Sequence, residues 1–204
     1  RGWFYTLHVI STIVFDSISY KNVISNGLVL DKNGQKMSKR LGNSIDPFEI
    51  ISKYGPDATR WYMISNSNPW DNLRFDIDGV DEISRKFFGT LFNTYSFFVL
   101  YANIDEFDVN KKNIPITKRP EIDRWIISEL NRLIKEVDEA FDKYDATKAA
   151  RNISTFVNDL LSNWYVRLSR RRFWKGVLSN DKLAAYRTLF ECLNKVCRLI
   201  APLA

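Results

Sequence analysis

Three cations occupy five positions at Lys36-Met37-Ser38-Lys39-Arg40, just after an Asn33-Gly34 turn signal and just before Leu41-Gly42-Asn43-Ser44. Ammonium and guanidinium groups on a segment leaving a tight turn suit one task, the holding of a polyphosphate while its charge redistributes. A lysine-rich surface loop is more often simply solvated, so the pentapeptide alone does not decide the matter. A second concentration lies far along the chain, where Arg167, Arg170, Arg171, Arg172 and Lys175 interleave with Trp164, Tyr165, Phe173 and Trp174. Guanidinium groups hold phosphates and stack on bases, and aromatic rings offer platforms for unpaired bases. A single-stranded loop of RNA is what such a surface reads best.

The charge distribution points the same way. Residues 1–110 carry 11 Lys and Arg against 13 Asp and Glu, a net of −2, while residues 111–204 carry 19 against 11, a net of +8. A basic excess confined to the second half fits nucleic acid as partner, although a solvated basic helix face would show the same balance. Hydrophobic residues make up 45% of the 204, ample for a real core. No apolar run approaches the roughly 20 residues that span a bilayer, and no signal-peptide pattern opens the chain, so a cytoplasmic globular protein is expected. Cys192 and Cys197, five apart in a helical pattern, fall on different faces and are expected to stay reduced. With the single His8 they make no credible metal set, and no obligate protein partner is evident.

The elements that must position these groups are mostly helical. Apolar residues at 3, 4, 7, 10, 13 and 14 predict a helix ending near Asp16; Trp3 and Phe4 could line a nucleotide or amino-acid pocket, but aromatics on such a stripe are more often core, and the core is expected here. Asn22 to Ser25 and Gly27 to Leu30 are short β-branched runs, one strand of which feeds the cationic loop. Met37 is expected to anchor that loop in an apolar slot, and Gly42 and Asn43 to supply flexibility and a turn. Asp46-Pro47 starts a short helix with Phe48, Ile51 and Tyr54 on one face, Gly55 caps it, and a second helix runs from Asp57 to about Ile64. Asp57 and Arg60 are spaced for a surface ion pair or cap. Residues 66–78 read as a loop. A helix from Val80 to Ala102 is apolar on more than one face and is expected between layers. Asn103 to Pro120, including Lys111-Lys112-Asn113, reads as the linker and domain boundary. Beyond it come three helical stripes: Ile122 to Tyr144; Ala149, Ile153, Phe156, Leu160, Trp164 and Leu168; and Leu183 to Ile200. Short connections between them imply an antiparallel bundle with Trp164 in its core.

The run from Asn26 to Asn43 resembles the signature loop of class I aminoacyl-tRNA synthetases, whose consensus is Lys-Met-Ser-Lys-Ser; Arg40 departs from it. Arg1-Gly-Trp-Phe4, Lys21-Asn-Val-Ile24, Asp46-Pro47 and Tyr54-Gly-Pro-Asp-Ala-Thr-Arg60 resemble further family segments, in order. Within the class, Asn163 to Trp174 is similar to the anticodon-domain segment of isoleucyl-tRNA synthetases. The resemblance implies a mainly α fold with a small α/β remnant: residues 1–45 as the C-terminal end of a Rossmann-type catalytic domain, 46–110 as a helical stem-contact region, and 115–204 as an antiparallel anticodon-binding bundle. It implies ATP, accompanied by Mg2+, at Lys36, Met37, Ser38, Lys39 and Arg40, with Lys39 before Lys36 as catalytic groups. It implies tRNA(Ile) at Arg167, Arg170, Arg171, Arg172, Trp174 and Lys175, and isoleucine as the amino acid of the complete enzyme. A valine-specific sister and a non-catalytic tRNA-binding helical module are the alternatives. The family's His-Ile-Gly-His signature is absent from the 204 residues, so this piece by itself is expected not to activate an amino acid.

Overall fold

Helices dominate the computed structural model, which describes residues 2–110 and 114–204. The first, α1 (Trp3–Phe15), forms where the apolar spacing predicts it, yet none of its residues is buried and Trp3 is 86% exposed. The expectation that Trp3 and Phe4 lie in the core is therefore corrected; Phe4 meets Tyr20 edge-on at 5.9 Å. An apolar stripe calls for a partner surface but does not supply one.

The strand expected before the loop is β1 (Val29–Leu30), which pairs in parallel with β2 (Leu73–Arg74). That second strand falls inside the stretch read as loop. Two residues are too few to show a strand period in sequence, and their pairing depends on a partner more than 40 positions away. Asn22 to Ser25 form no strand. Gly27 lies so close to the other segment that an added Cβ would sit 2.1 Å from the Asp71 carbonyl oxygen. Only glycine permits that approach.

Asp46 caps α2 (Pro47–Tyr54) by accepting from the Phe48 amide, with Pro47 at the first helical position. The buried residue of α2 is Ile50, while Phe48 and Ile51 are exposed. After Gly55 comes α3 (Pro56–Asn66). Ile50, Ala58, Tyr62, Leu73, Phe75 and Val80 form a small apolar cluster under the loop. Tyr62 ties it together: its hydroxyl donates to the Arg74 carbonyl at 3.0 Å and accepts from the Asp76 amide at 3.1 Å.

Next, α4 (Ile77–Ile83), a π-helical turn (Ser84–Phe88) and α5 (Gly89–Ile104) follow one another without a break. Val80 and Phe87 are buried, but Phe92, Tyr95 and Leu100 are exposed, so α5 is covered on one side and not between layers as expected. The segment read as a linker is fastened at both ends. Asp105 pairs with Lys182 and accepts from the Tyr186 hydroxyl, and buried Arg119 makes a two-pronged pair with Glu191. Lys111-Lys112-Asn113 lie outside the described residues.

The remaining chain builds α6 (Glu121–Asp142), α7 (Ala146–Thr155), a π-helical stretch (Phe156–Val166), α8 (Arg167–Trp174) and α9 (Asn180–Ile200). The main apolar interior runs from Trp61 and Phe87 through Ile126, Val137 and Leu189 to Leu203. It is continuous across residues 103–120.

The π-helical stretch explains a further correction. The buried row of this long rod is Ala149, Ile153, Val157, Leu161, Tyr165, Ser169 and Phe173, in steps of four throughout. At 3.6 residues per turn each such step overshoots by about 40°, so a straight α-helix would carry the row off its face. Bonding to the fifth residue widens the turn and keeps the row in line. Of the expected stripe, Ala149, Ile153 and Phe156 are buried, but its far end points out: Trp164 and Leu168 are each 59% exposed, and Trp164 leans on Trp125 at 6.3 Å. Among the described residues no helix is long and apolar enough to cross a membrane.

Candidate functional site

The cationic loop hangs from a hairpin. Leu30 and Lys36 form an antiparallel bridge around the Asn33-Gly34 turn, in which Gly34 has φ 80° and lies against the Arg74 guanidinium. Asp31, 8% exposed, accepts the amides of Asn33 at 2.9 Å and Gln35 at 2.8 Å. From its other oxygen it accepts the Asn43 side-chain amide at 2.9 Å. Asn43 in turn donates to the Lys36 carbonyl and accepts from the Ser38 amide. These bonds, the one from Asn43 foremost, hold the Asp31 carboxyl below its ordinary pKa.

Ser38 caps a 3-10 turn (Lys39–Leu41), its hydroxyl accepting from the Leu41 amide at 3.3 Å, and Gly42 ends it. Met37 is half-buried against the cluster of Ile50, Tyr62 and Phe75. Lys36, Lys39 and Arg40 are exposed, and among the described residues none of the three has an ion-pair partner. The arrangement is a hydrogen-bonded backbone presenting exposed cations, the form that can meet a phosphate whose charge is still developing. Asn43, read in sequence as a source of flexibility and a turn, is the main tie of the loop. Its signal was available only as a pairing with Asp31, twelve positions earlier.

The arginine helix divides differently. Arg167, Arg170, Arg171, Trp174 and Lys175 are exposed on α8 and just beyond it. Arg172, grouped with them by sequence, points inward and is corrected to a structural role. Its guanidinium grips both oxygens of fully buried Asp123 at 2.6 and 2.8 Å and also pairs with Asp181. The Tyr165 hydroxyl donates to the same Asp123 at 2.8 Å. Burial, then the Asp123 charge, raises the Tyr165 pKa well above its ordinary value; burial works against the Arg172 charge, yet Asp123 more than compensates and the guanidinium stays protonated. The reason lies in phase: position 172 adjoins Phe173, which is buried, and faces α6.

Between the two regions, α3 and α7 are joined by polar contacts. The Trp61 indole donates to the Ser154 hydroxyl at 3.1 Å, Thr147 to the carbonyls of Ile64 and Ser67, and Arg151 to those of Ser65 and Asn66. Arg60 donates to the Leu203 carbonyl at 3.1 Å, which replaces the expected partnership with Asp57. Among the described residues no group of His, Cys, Asp and Glu is arranged to hold a metal ion.

Residues 1–76 match the family model of class I tRNA synthetases (I, L, M and V), and residues 123–204 that of the anticodon-binding domain of tRNA ligase. An isoleucine–tRNA ligase of Bacteroides fragilis is 66% identical over all 204 residues, and one of Porphyromonas gingivalis is 63% identical over the same span. The chain covers 18% of the length of each. Among solved structures, a LeuRS of Agrobacterium radiobacter K84, in a ternary complex with tRNA and LeuAMS, superposes with a TM-score of 0.73 at 21% identity, over 98% of this chain and 24% of that one. A methionyl-tRNA synthetase of Mycobacterium tuberculosis with methionyl-adenylate gives 0.68 at 21% identity, over 88% and 35%. These distant likenesses show the fold, a Rossmann-type end followed by a helical anticodon domain. Matched by two tRNA ligase models and, from end to end, by close relatives, the chain belongs to the class I tRNA synthetase family.

Proposed function

We propose that this chain is the part of an isoleucine–tRNA ligase that carries the pyrophosphate-stabilising loop and the anticodon-binding helices. The observation that carries the reading is end-to-end identity of 66% with an isoleucine–tRNA ligase, spanning both the loop and the arginine helix. In the reaction, a carboxylate oxygen of isoleucine attacks the α-phosphorus of ATP, which arrives with Mg2+, and the bond to the β-phosphate breaks. Negative charge gathers on the departing pyrophosphate. Lys39 first, and Lys36 with it, meet that charge more strongly in the transition state than in bound ATP, which lowers the barrier selectively. Ser38 adds a hydroxyl and shapes the turn, Met37 roots the loop in the apolar cluster, and Arg40 offers a further phosphate contact. A terminal hydroxyl of tRNA(Ile) then attacks the carbonyl carbon of the adenylate, taking the isoleucyl group and releasing AMP, while the anticodon region of that tRNA lies against Arg167, Arg170, Arg171, Trp174 and Lys175.

Isoleucine-dependent exchange of pyrophosphate into ATP by the complete enzyme tests the reading. Lys39→Ala is expected to slow exchange by about 10² to 10³, the usual cost of one preorganised donor. Wild-type exchange in that variant, or exchange driven as well by valine as by isoleucine, would reject it.

A further inference from the structure

Five hydrogen bonds of the cationic loop converge on two side chains, Asp31 and Asn43. Asp31 Oδ1 closes the turn through the amides of Asn33 and Gln35, while Oδ2 accepts from Asn43 Nδ2 at 2.9 Å. That same Nδ2 reaches the Lys36 carbonyl at 3.3 Å, and Asn43 Oδ1 accepts from the Ser38 amide at 2.9 Å. The start, middle and end of the loop are thus tied through these two side chains, and the bonded Ser38 amide is one residue from Lys39. The three cations, mutually repulsive and without ion-pair partners among the described residues, have no comparable tie of their own.

We infer that Asp31 and Asn43 form a latch that aims Lys39 at the departing pyrophosphate, as positioning residues that act through that lysine. The inference rests on the reading of the loop given above. The chemistry of position 43 is demanding, since it must accept from Ser38 and donate to Asp31 at once. An amide does both; a carboxylate there would face Asp31 with like charge and nothing to donate. Exchanging the two groups restores the pair: an amide at 31 accepts the turn amides through its oxygen and donates across, while a carboxylate at 43 accepts from both sides. The bond to the Lys36 carbonyl is all that the exchange loses.

The test uses the complete enzyme and isoleucine-dependent pyrophosphate exchange. Asn43→Asp is expected to lower kcat by about 10², the scale of a misplacement near 1 Å, with KM for isoleucine unchanged. Combining Asp31→Asn with Asn43→Asp is expected to recover most of the rate. In a Lys39→Ala background, Asn43→Ala is expected to add less than about a twofold loss, because two groups acting as a unit are not additive. Wild-type kcat in Asn43→Asp, an exchanged pair no better than the single change, or losses that multiply in the double variant would each overturn the latch. Should Asn43→Asp fail to fold, the exchanged pair and the Lys39 cycle still decide. Lys39→Ala at wild-type rate is a different result, for it rejects the role of the loop itself.

Discussion

Lys36, Lys39 and Arg40 stand exposed on a loop whose backbone is tied from beneath by one buried carboxylate and one amide, and among the described residues none of the three has an ion-pair partner. Arg167 to Lys175 stand on a helix that has drawn one of its cations, Arg172, inward to neutralise buried Asp123. The two runs have similar charge density. What separates them is the geometry beneath: a loop can direct every side chain outward while its backbone bonds inward, whereas a helix of about 100° per residue must turn some of its positions toward the core. A cation there is tolerated only if an anion meets it. Charge density in sequence therefore reports a basic surface, and the phase of the element decides which charges belong to it.

The sharpest way to break the comparison is to remove the inward cation. Arg172→Ala strands Asp123 in the core and is expected to cost about 3–5 kcal/mol in urea unfolding of this chain, the range for an orphaned buried charge. A loss near zero, paired with weaker RNA binding, would return Arg172 to the surface set. Leu161→Ala, on the buried row set by the π-helical stretch, is expected to cost about 2–5 kcal/mol, and Trp164→Ala less than about 0.5 kcal/mol. Reversal of that order in the same unfolding experiment would mean that the rod is α-helical throughout and turned by one residue.

Smaller effects sharpen the contrast. Replacing Arg170 and Arg171 by alanine in the complete enzyme is expected to weaken tRNA binding with little change in stability. If each touches a phosphate, the slope of log affinity against log salt falls by about 0.7 for each, the value for single strands. An unchanged slope would leave these arginines merely solvated. The subtlest effect is on the loop. Asp31 has a folded pKa below its unfolded value, so its contribution to holding the loop is fully present above the unfolded value of about 3.9 and is lost as pH falls through the lowered folded value. Amide exchange at Gln35 and Ser38, followed as the pH is lowered, should stay protected down through that window and then open. Opening already near neutral pH would show that the carboxylate does not hold the loop.

Much of this was legible in the residues. The order of helices, the capping of α2 by Asp46, the turn at Asn33-Gly34 and the placement of Lys36 and Lys39 on an exposed loop all follow from local chemistry. The loop motif also led to the family. What escaped involves partners distant in sequence. β2 exists because β1 lies beside it, Asn43 is a tie because Asp31 is near, and Asp105 and Arg119, read as linker residues, form ion pairs with Lys182 and Glu191 of α9, more than 70 positions on. The outward face of Trp164 escaped for another reason: after Ile153 the chain offers one row through Phe156, Leu160 and Trp164 and another through Val157, Leu161 and Tyr165, and a widened helix turns the second inward.

By itself, then, the amino-acid order determined where helices begin and end, where cations gather and which loop can face a phosphate, because propensity, capping and turn chemistry act within a few residues. Only the tertiary structure decided which cation is neutralised, which aromatic row is buried and which amide steadies the loop. Those outcomes depend on desolvation and hydrogen bonding between groups that folding alone brings together.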